Sequence, residues 1–373
     1  MKNLNMRYAV SILAGTLLVT TFQNCGQPGS IATNSSVLEG ATSTGGGDPT
    51  TVPPVSSPQY RDLEKDVSVT QSAGKVDVLV VIDNSGSMAY EQQNMSSRFS
   101  SFLGRLQGLD WQVGIVTTDI TTDTTNLNAI DGMLLHFDDM NSYLINSSQD
   151  FAAAQSAFSK VIQRPANEGS GNEQGVKATY RALQRAVTVG DHNVGLLRDG
   201  AALSVILVSD SDETVAGNDH TGDVSTFTEL NKAVNLYNYV HTTYPDKNFK
   251  FNSIIVRDGD LACLNFKNSY NEAYGENYQT LTGMTSGILG SVCETDYGDQ
   301  LSAIGDSTVE LVKVVTLDCA PVDSNGDGVL DLVVTDANGN IVSGYTVNSN
   351  TVTFAQQLPV GSYKFKYRCS AVN

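Results

Sequence analysis

Basic residues are scarce in this chain. Lys and Arg number 22 against 40 Asp and Glu, a formal charge of −18. Neutralising nucleic-acid phosphates requires a cationic footprint, so nucleic acid is excluded as a partner. Histidine is sparse too: His136, His192, His220 and His241 have no ligand-like spacing, and no C-x-x-C occurs among the five cysteines. Zinc is therefore the weaker reading of those cysteines. Beyond the N-terminal segment no run is apolar enough over about 20 residues to span a bilayer. The common catalytic signatures are missing as well: a Gly-rich loop ending in Gly-Lys-Ser/Thr, H-E-x-x-H, the G-x-S-x-G elbow, and G-x-G-x-x-G after a strand. Asp83-Asn84-Ser85-Gly86 lacks the contiguous Asp-Thr/Ser-Gly of aspartic proteases. No general base stands out, so a non-enzymatic role is expected; Glu173 and Glu213 are the carboxylates that a hydrolase would have to use.

A chain of 373 residues with 40% hydrophobic content has enough material for two folded units and their cores. At the N-terminus, Lys2 and Arg7 precede an apolar stretch from Tyr8 to Val19, which reads as a secretory signal over residues 1–24. Cys25 follows at once and looks like the lipidated first residue of a bacterial lipoprotein, although Phe22, Gln23 and Asn24 stand where such sites usually have Leu and small residues. The alternative is a plain signal peptide cut elsewhere. With Gly26 and Gln27 rather than Asp after Cys25, lipoprotein sorting by analogy leads to the outer membrane of a bacterial envelope, with the lipid as the only membrane contact. Residues 25–70, rich in Gly, Ser, Thr and Pro, are read as a flexible tether.

Strand and helix patterns then alternate over residues 71–308. Strands are expected at Val76–Ile82, Gln112–Thr117, Met133–Phe137, Leu203–Val208 and Phe251–Val256, and helices at Met88–Leu106, Phe151–Ile162, Glu173–Val187, Thr226–Thr243, Asn277–Met284 and Asp299–Thr308. This is the pattern of an α/β doubly wound, mostly parallel sheet, whose ligands bind beyond the carboxyl ends of the strands. Residues 309–373 change character. Val312–Leu317, Leu330–Thr335, Thr351–Phe354 and Tyr363–Arg368, split by Asn-Gly, Gly-Asp-Gly and Pro-Val-Gly turns, predict a small antiparallel β domain. In an oxidising compartment Cys263, Cys293, Cys319 and Cys369 should pair. Three connectivities are possible, and order along the chain favours Cys263–Cys293 and Cys319–Cys369.

The richest segment is Val76-Asp77-Val78-Leu79-Val80-Val81-Ile82-Asp83-Asn84-Ser85-Gly86-Ser87-Met88. An apolar, β-branched strand covered on both faces ends in Asp-x-Ser-x-Ser, one carboxylate and two hydroxyls on a turn before a helix. Such oxygens suit a hard divalent ion. Val205-Ile206-Leu207-Val208-Ser209-Asp210 repeats the pattern of an apolar strand ending in an acid. Together these residues resemble the metal-ion-dependent adhesion site of the von Willebrand factor A (VWA) family. The chain is most similar to that family's bacterial lipoproteins, which share the Val76-to-Met88 start, Gly114-Ile115-Val116-Thr117-Thr118-Asp119, and the late Gly275-Glu276-Asn277-Tyr278 and Cys293. The resemblance spans Val76 to Asp306. It implies Mg²⁺, or Mn²⁺ or Ca²⁺, held by Asp83, Ser85, Ser87 and Asp210, with an open position for an exposed Asp or Glu of a protein partner. A second loop of the family donates a Thr; here Gly169 to Gly175 has none, and Glu173 is expected instead, with Ser170 as alternate. Asp212 is placed near the ion, and Asp119 at its rim or in a turn. The implied role is adhesion or assembly; the rival is a structural or regulatory subunit of an envelope complex, in which metal only stabilises the fold. A further stretch, Asp323-Ser324-Asn325-Gly326-Asp327-Gly328-Val329-Leu330-Asp331, reads either as the front of a Ca²⁺ loop, with ligands Asp323, Asn325, Asp327 and Asp331, or as an ordinary hairpin turn.

Overall fold

In the strand Lys75–Ile82 (β2), alternate side chains go to opposite faces, and both faces are covered. Val76, Val78, Val80 and Ile82 enter one apolar cluster; Leu79 and Val81 enter another. The computed structural model describes residues 59–69, 74–120, 131–164, 169, 173–214, 228–267 and 273–371. The signal, Cys25, most of the tether, and Ser170 lie outside them.

Beside β2 run Asp110–Thr117 (β3), Ala202–Val208 (β5), Phe249–Ile255 (β6) and Leu289–Ser291 (β7), all parallel, while Ile145–Asn146 (β4) is an antiparallel edge. The six-stranded order is β4-β3-β2-β5-β6-β7. On one face lie Ala89–Arg105 (α1), Phe151–Ile162 (α2) and Gly298–Glu310 (α7), with Phe99 stacked on Phe158 at 3.4 Å between ring centres. On the other lie Gly175–Ala186 (α3), Ala233–Thr243 (α4) and Glu276–Met284 (α6). The chain leaves β2 by way of α1 to reach β3, then returns by way of α3 to β5 on the other flank. The topological switch point therefore falls between β2 and β5, where sheets of this kind open a crevice. A short helix, Leu261–Lys267 (α5), follows β6 and is stapled by Cys263–Cys293.

Two three-stranded sheets make up the second part. Tyr60–Val69 (β1) pairs with Gly361–Ser370 (β12), which pairs with Leu332–Asp336 (β9). Tyr345–Asn348 (β10), Thr351–Phe354 (β11) and Val314–Thr316 (β8) form the other sheet. Between them Val334, Val352, Phe354, Phe365 and Tyr367 are buried, and Cys319–Cys369 ties the start of this part to its last strand.

The expected architecture is present, with four corrections. Residues 60–69 belong to a strand of the β part and not to a tether; Leu63 and Val67 pack on its core while Asp62, Glu64 and Asp66 face Arg368, Lys366 and Lys364. Met133–Phe137 forms no ladder strand, and Phe137 makes only an isolated bridge to Ser142. The helix expected from Thr226 begins at Ala233. The last helix runs to Glu310, past the expected boundary at 308. Among the described residues no helix is long and apolar enough to cross a membrane.

Candidate metal centre

β2 and β5 are neighbours in register, so their carboxyl ends bring Asp83 and Asp210 together, both with no exposed surface. The backbone holds this corner tightly: Asp83 N donates to Val208 O at 2.9 Å, and Gln92 Nε2 on α1 donates to Asp83 O at 2.9 Å. Past Asp83 the chain turns sharply into a short 3₁₀ turn, Gly86–Met88, that leads into α1. Asp83 Oδ1 accepts from Ser85 N at 2.8 Å, which fixes the turn, and Asp83 Oδ2 accepts from Ser209 Oγ at 2.7 Å. The hydroxyls of Ser85 and Ser87 lie 3.0 Å apart, and Ser87 Oγ donates to Asp210 Oδ1 at 3.3 Å. Both serines are half-buried, so the hydroxyl side of the cluster opens toward solvent while the carboxylate side is closed.

Burial, and then the charge of Asp210, push the Asp83 carboxyl up to about 7. Two carboxylates with no water around them repel each other, and a cation between them relieves both effects at once. The opposite end of the same strand makes the contrast. There buried Asp77 is matched by Arg198, 2.7 Å away, and by Lys247 at 3.6 Å. Asp83 has no ion pair among the described residues.

One cation does stand nearby. Lys267, the last residue of α5, is 5% exposed; its Nζ touches Glu91 Oε1 and lies 3.1 Å from Asp210 Oδ2. Burial pulls the ammonium down, but Asp210 and Glu91 outweigh it and the group stays firmly charged. Glu91, on the first turn of α1, is buried with Oε2 lacking a hydrogen-bond partner, as does the buried Ser211 Oγ beside Asp210.

The other expected ligands have neighbours of their own. Glu173 is buried, and its carbonyl accepts from both the amide and the hydroxyl of Thr214; its carboxylate charge acts on the Tyr278 hydroxyl, together with those of Glu213 and Asp212. Asp212 accepts from Asn277 N at 3.1 Å and Nδ2 at 2.7 Å, capping the start of α6, and burial lifts it to about 7. Glu213 accepts from Val176 N, Lys177 N and Asn231 Nδ2 at the start of α3, and burial lifts it to about 8. A carboxylate so engaged at a helix N-terminus is a cap. Asp119 is buried just after β3. Gly169 packs so closely on the Asn84 carbonyl that a Cβ there would collide with it, so only a glycine fits at this position.

Asp83, Ser85, Ser87 and Asp210 are thus brought together, whereas Asp212 is turned to Asn277, and Glu173 is buried with its carbonyl on Thr214. Sequence reasoning missed Ser209, Glu91 and Lys267. Ser209 and Glu91 carried a signal: Ser209 directly precedes Asp210, and Glu91 lies one helical turn after Ser87. Lys267 carried none.

In the β part, Asp323, Asn325, Asp327 and Asp331 do gather in one turn, exposed at its tip. Its oxygens are engaged by its own backbone: Asp323 accepts from Gly326, Asp327 and Gly328 N, and Asp331 accepts from Ser324 N. Gly326 and Gly328 have φ of 78° and 86°, which only Gly adopts freely. Among the described residues no group of three or more His, Cys, Asp or Glu is arranged to hold a metal ion, this loop included. The cluster at Asp83 has two carboxylates and two hydroxyls instead. Those hard oxygens, with Asp83 pushed upward and Ser211 Oγ unpartnered, fit Mg²⁺ or Mn²⁺ in chemistry.

No protein-family model matches the chain, and no curated protein matches it in sequence. Solved structures do. A von Willebrand factor type A protein from Catenulispora acidiphila is similar at 12% identity and a TM-score of 0.35, over 83% of this chain and 65% of that one. Proximal thread matrix protein 1 of the mussel byssus is similar at 12% and 0.37, over 68% and 52%. The pilus adhesin SpaC from Lactobacillus rhamnosus GG is similar at 11% and 0.34, over 84% and 41%. This chain spans less than two thirds of the length of each of these proteins, and all three likenesses are distant.

Proposed function

We propose that this chain is a non-enzymatic binding module of the VWA type. Its α/β part holds a divalent cation at Asp83, Ser85, Ser87 and Asp210 and, through that ion, an Asp or Glu side chain of a protein partner, in adhesion or assembly. The observation that carries this reading is the meeting of two fully buried strand-end carboxylates with two half-exposed hydroxyls. The acids balance the ion's charge from inside, and the hydroxyl side leaves it approachable from outside. Catalysis is not favoured: Glu213 and Asp212 are used as helix caps, and Glu91 is occupied by Lys267. Lipidation at Cys25 and display at the outer face of a bacterial envelope complete the proposal, on the N-terminal sequence alone.

The test is ion-dependent capture. Envelope extract is passed over the immobilised protein with Mg²⁺ or with EDTA, using the wild type and Asp83→Ala. Partners retained only by the wild type with Mg²⁺ support the reading. Partners retained equally in all four conditions remove it. A melting temperature that responds to Mg²⁺ with no ion-dependent partner transfers the chain to the rival class, a structural subunit whose metal serves the fold.

A further inference from the structure

A buried lysine is uncommon, and Lys267 is buried against two buried acids, Asp210 and Glu91. Asp210 and Glu91 share a single ammonium, and Asp83 lies beside Asp210, so buried acids outnumber buried bases there. The two oxygens of Asp210 are divided between different neighbours. Oδ1 faces Ser87 on the solvent side, and Oδ2 faces Lys267 on the closed side. The helix that carries the lysine is anchored at its start by Cys263–Cys293 and by Asp260 Oδ1, which accepts from Cys263 N at 3.1 Å. Leu261 and Phe266 on the same helix are exposed, while Cys263 and Leu264 pack on the core, so α5 is held by these contacts together with the Lys267 ion pairs.

We infer that Lys267 is a built-in counter-ion that withholds one oxygen of Asp210 and so makes the site prefer a small octahedral cation over calcium. This rests on the metal-binding reading above. Ca²⁺ takes six to eight oxygens and draws on bidentate carboxylates, whereas Mg²⁺ and Mn²⁺ accept single carboxylate oxygens and keep several waters. With Oδ2 engaged by the ammonium, Asp210 offers only Oδ1. Lys267 is a positioning residue in this scheme, acting on the ion through Asp210.

The experiment is calorimetric titration of the full chain with Mn²⁺ and with Ca²⁺, with folding checked by circular dichroism. Wild type should bind Mn²⁺ tighter than Ca²⁺ by about tenfold or more. Lys267→Met with Glu91→Gln removes one group of each sign and frees Oδ2. The preference should then shrink to about threefold or less, chiefly through tighter Ca²⁺. Lys267→Arg should keep the wild-type ratio, and, should the double variant fail to fold, Lys267→Gln must lower it. Mn²⁺ binding with a ratio within about twofold of wild type in the double variant, or in Lys267→Gln where that stands in for it, overturns this inference alone. Titrations in which wild type and Asp83→Asn are equally silent overturn the metal reading and this inference together.

Discussion

Asp83 accepts hydrogen bonds from Ser85 N and Ser209 Oγ, yet burial and the nearby Asp210 push its carboxyl up to about 7 from 3.8. An acid whose pKa is raised on folding binds protons more tightly in the native state. Without metal, its contribution to stability therefore falls as pH rises from about 4 to about 7. Asp83→Asn keeps the shape and both contacts, since Ser209 Oγ can also donate to Ser211 O. In EDTA at pH 8 this variant should be more stable than wild type by about 1–3 kcal/mol, with the difference vanishing near pH 4. Chemical denaturation at the two pH values checks this, and a variant less stable at pH 8 would contradict it. At Gly169 even a methyl group meets the Asn84 carbonyl, so Gly169→Ala should destabilise the fold by about 1–3 kcal/mol and weaken Mn²⁺ binding. Melting curves with and without Mn²⁺ read both effects. At this scale the core of the candidate site was legible, because Asp83, Ser85, Ser87 and Asp210 each stand directly after an apolar strand. For Glu173 sequence gives no direction of a side chain in a loop; the residue is buried, and its carbonyl accepts from the amide and hydroxyl of Thr214. Lys267 was invisible because its contact with Asp210 spans 57 positions.

Among the elements, the parallel strands and long helices could be read to within a few residues, since burial on both faces leaves continuous β-branched runs and amphipathic helices recur at three and four. What escaped is short or polar. α5 has seven residues and β4 only two, too few for periodicity to register. β1 escaped because half of it is charged, and its partner strand is nearly the last in the chain. Read side by side, Asp62, Glu64 and Asp66 match Arg368, Lys366 and Lys364 one for one, an acidic strand zipped to a basic one. Arg368 holds the Asp62 carboxyl below its ordinary 3.8, and Lys366 and Lys364 hold Glu64 below 4.5. A depressed acid contributes stability that is present above its unfolded pKa and lost as pH falls through the folded one. Acidification below about pH 4 should therefore loosen β1 before the central sheet. Hydrogen exchange at pH 3 and pH 6 tests this, with faster opening expected at Leu63–Val67 than at Val78–Ile82 once intrinsic rates are removed.

For the whole molecule, a charge of −18 means that acids far outnumber bases, 40 to 22. Such a fold repels itself at low ionic strength, and salt screens that repulsion over about 10 Å at 0.1 M. Raising NaCl from about 0.02 to 0.3 M should lift the melting temperature by a few degrees in wild type and Asp83→Asn alike. The increment from Mg²⁺ at matched ionic strength should appear in wild type only. Equal Mg²⁺ increments in the two proteins would assign the effect to screening.

The pairing of β1 with β12 joins Tyr60 to Ser370 and Val69 to Gly361, residues far apart in the chain. While the polypeptide is being synthesised, Tyr60–Val69 emerges early and must wait, unpaired, until residues 361–370 have left the ribosome. A waiting strand is an invitation to the wrong neighbour, and the alternating acids along it are the kind of feature that keeps nascent chains from joining edge to edge. The same carboxylates that later select the basic strand thus act first as a guard during translation.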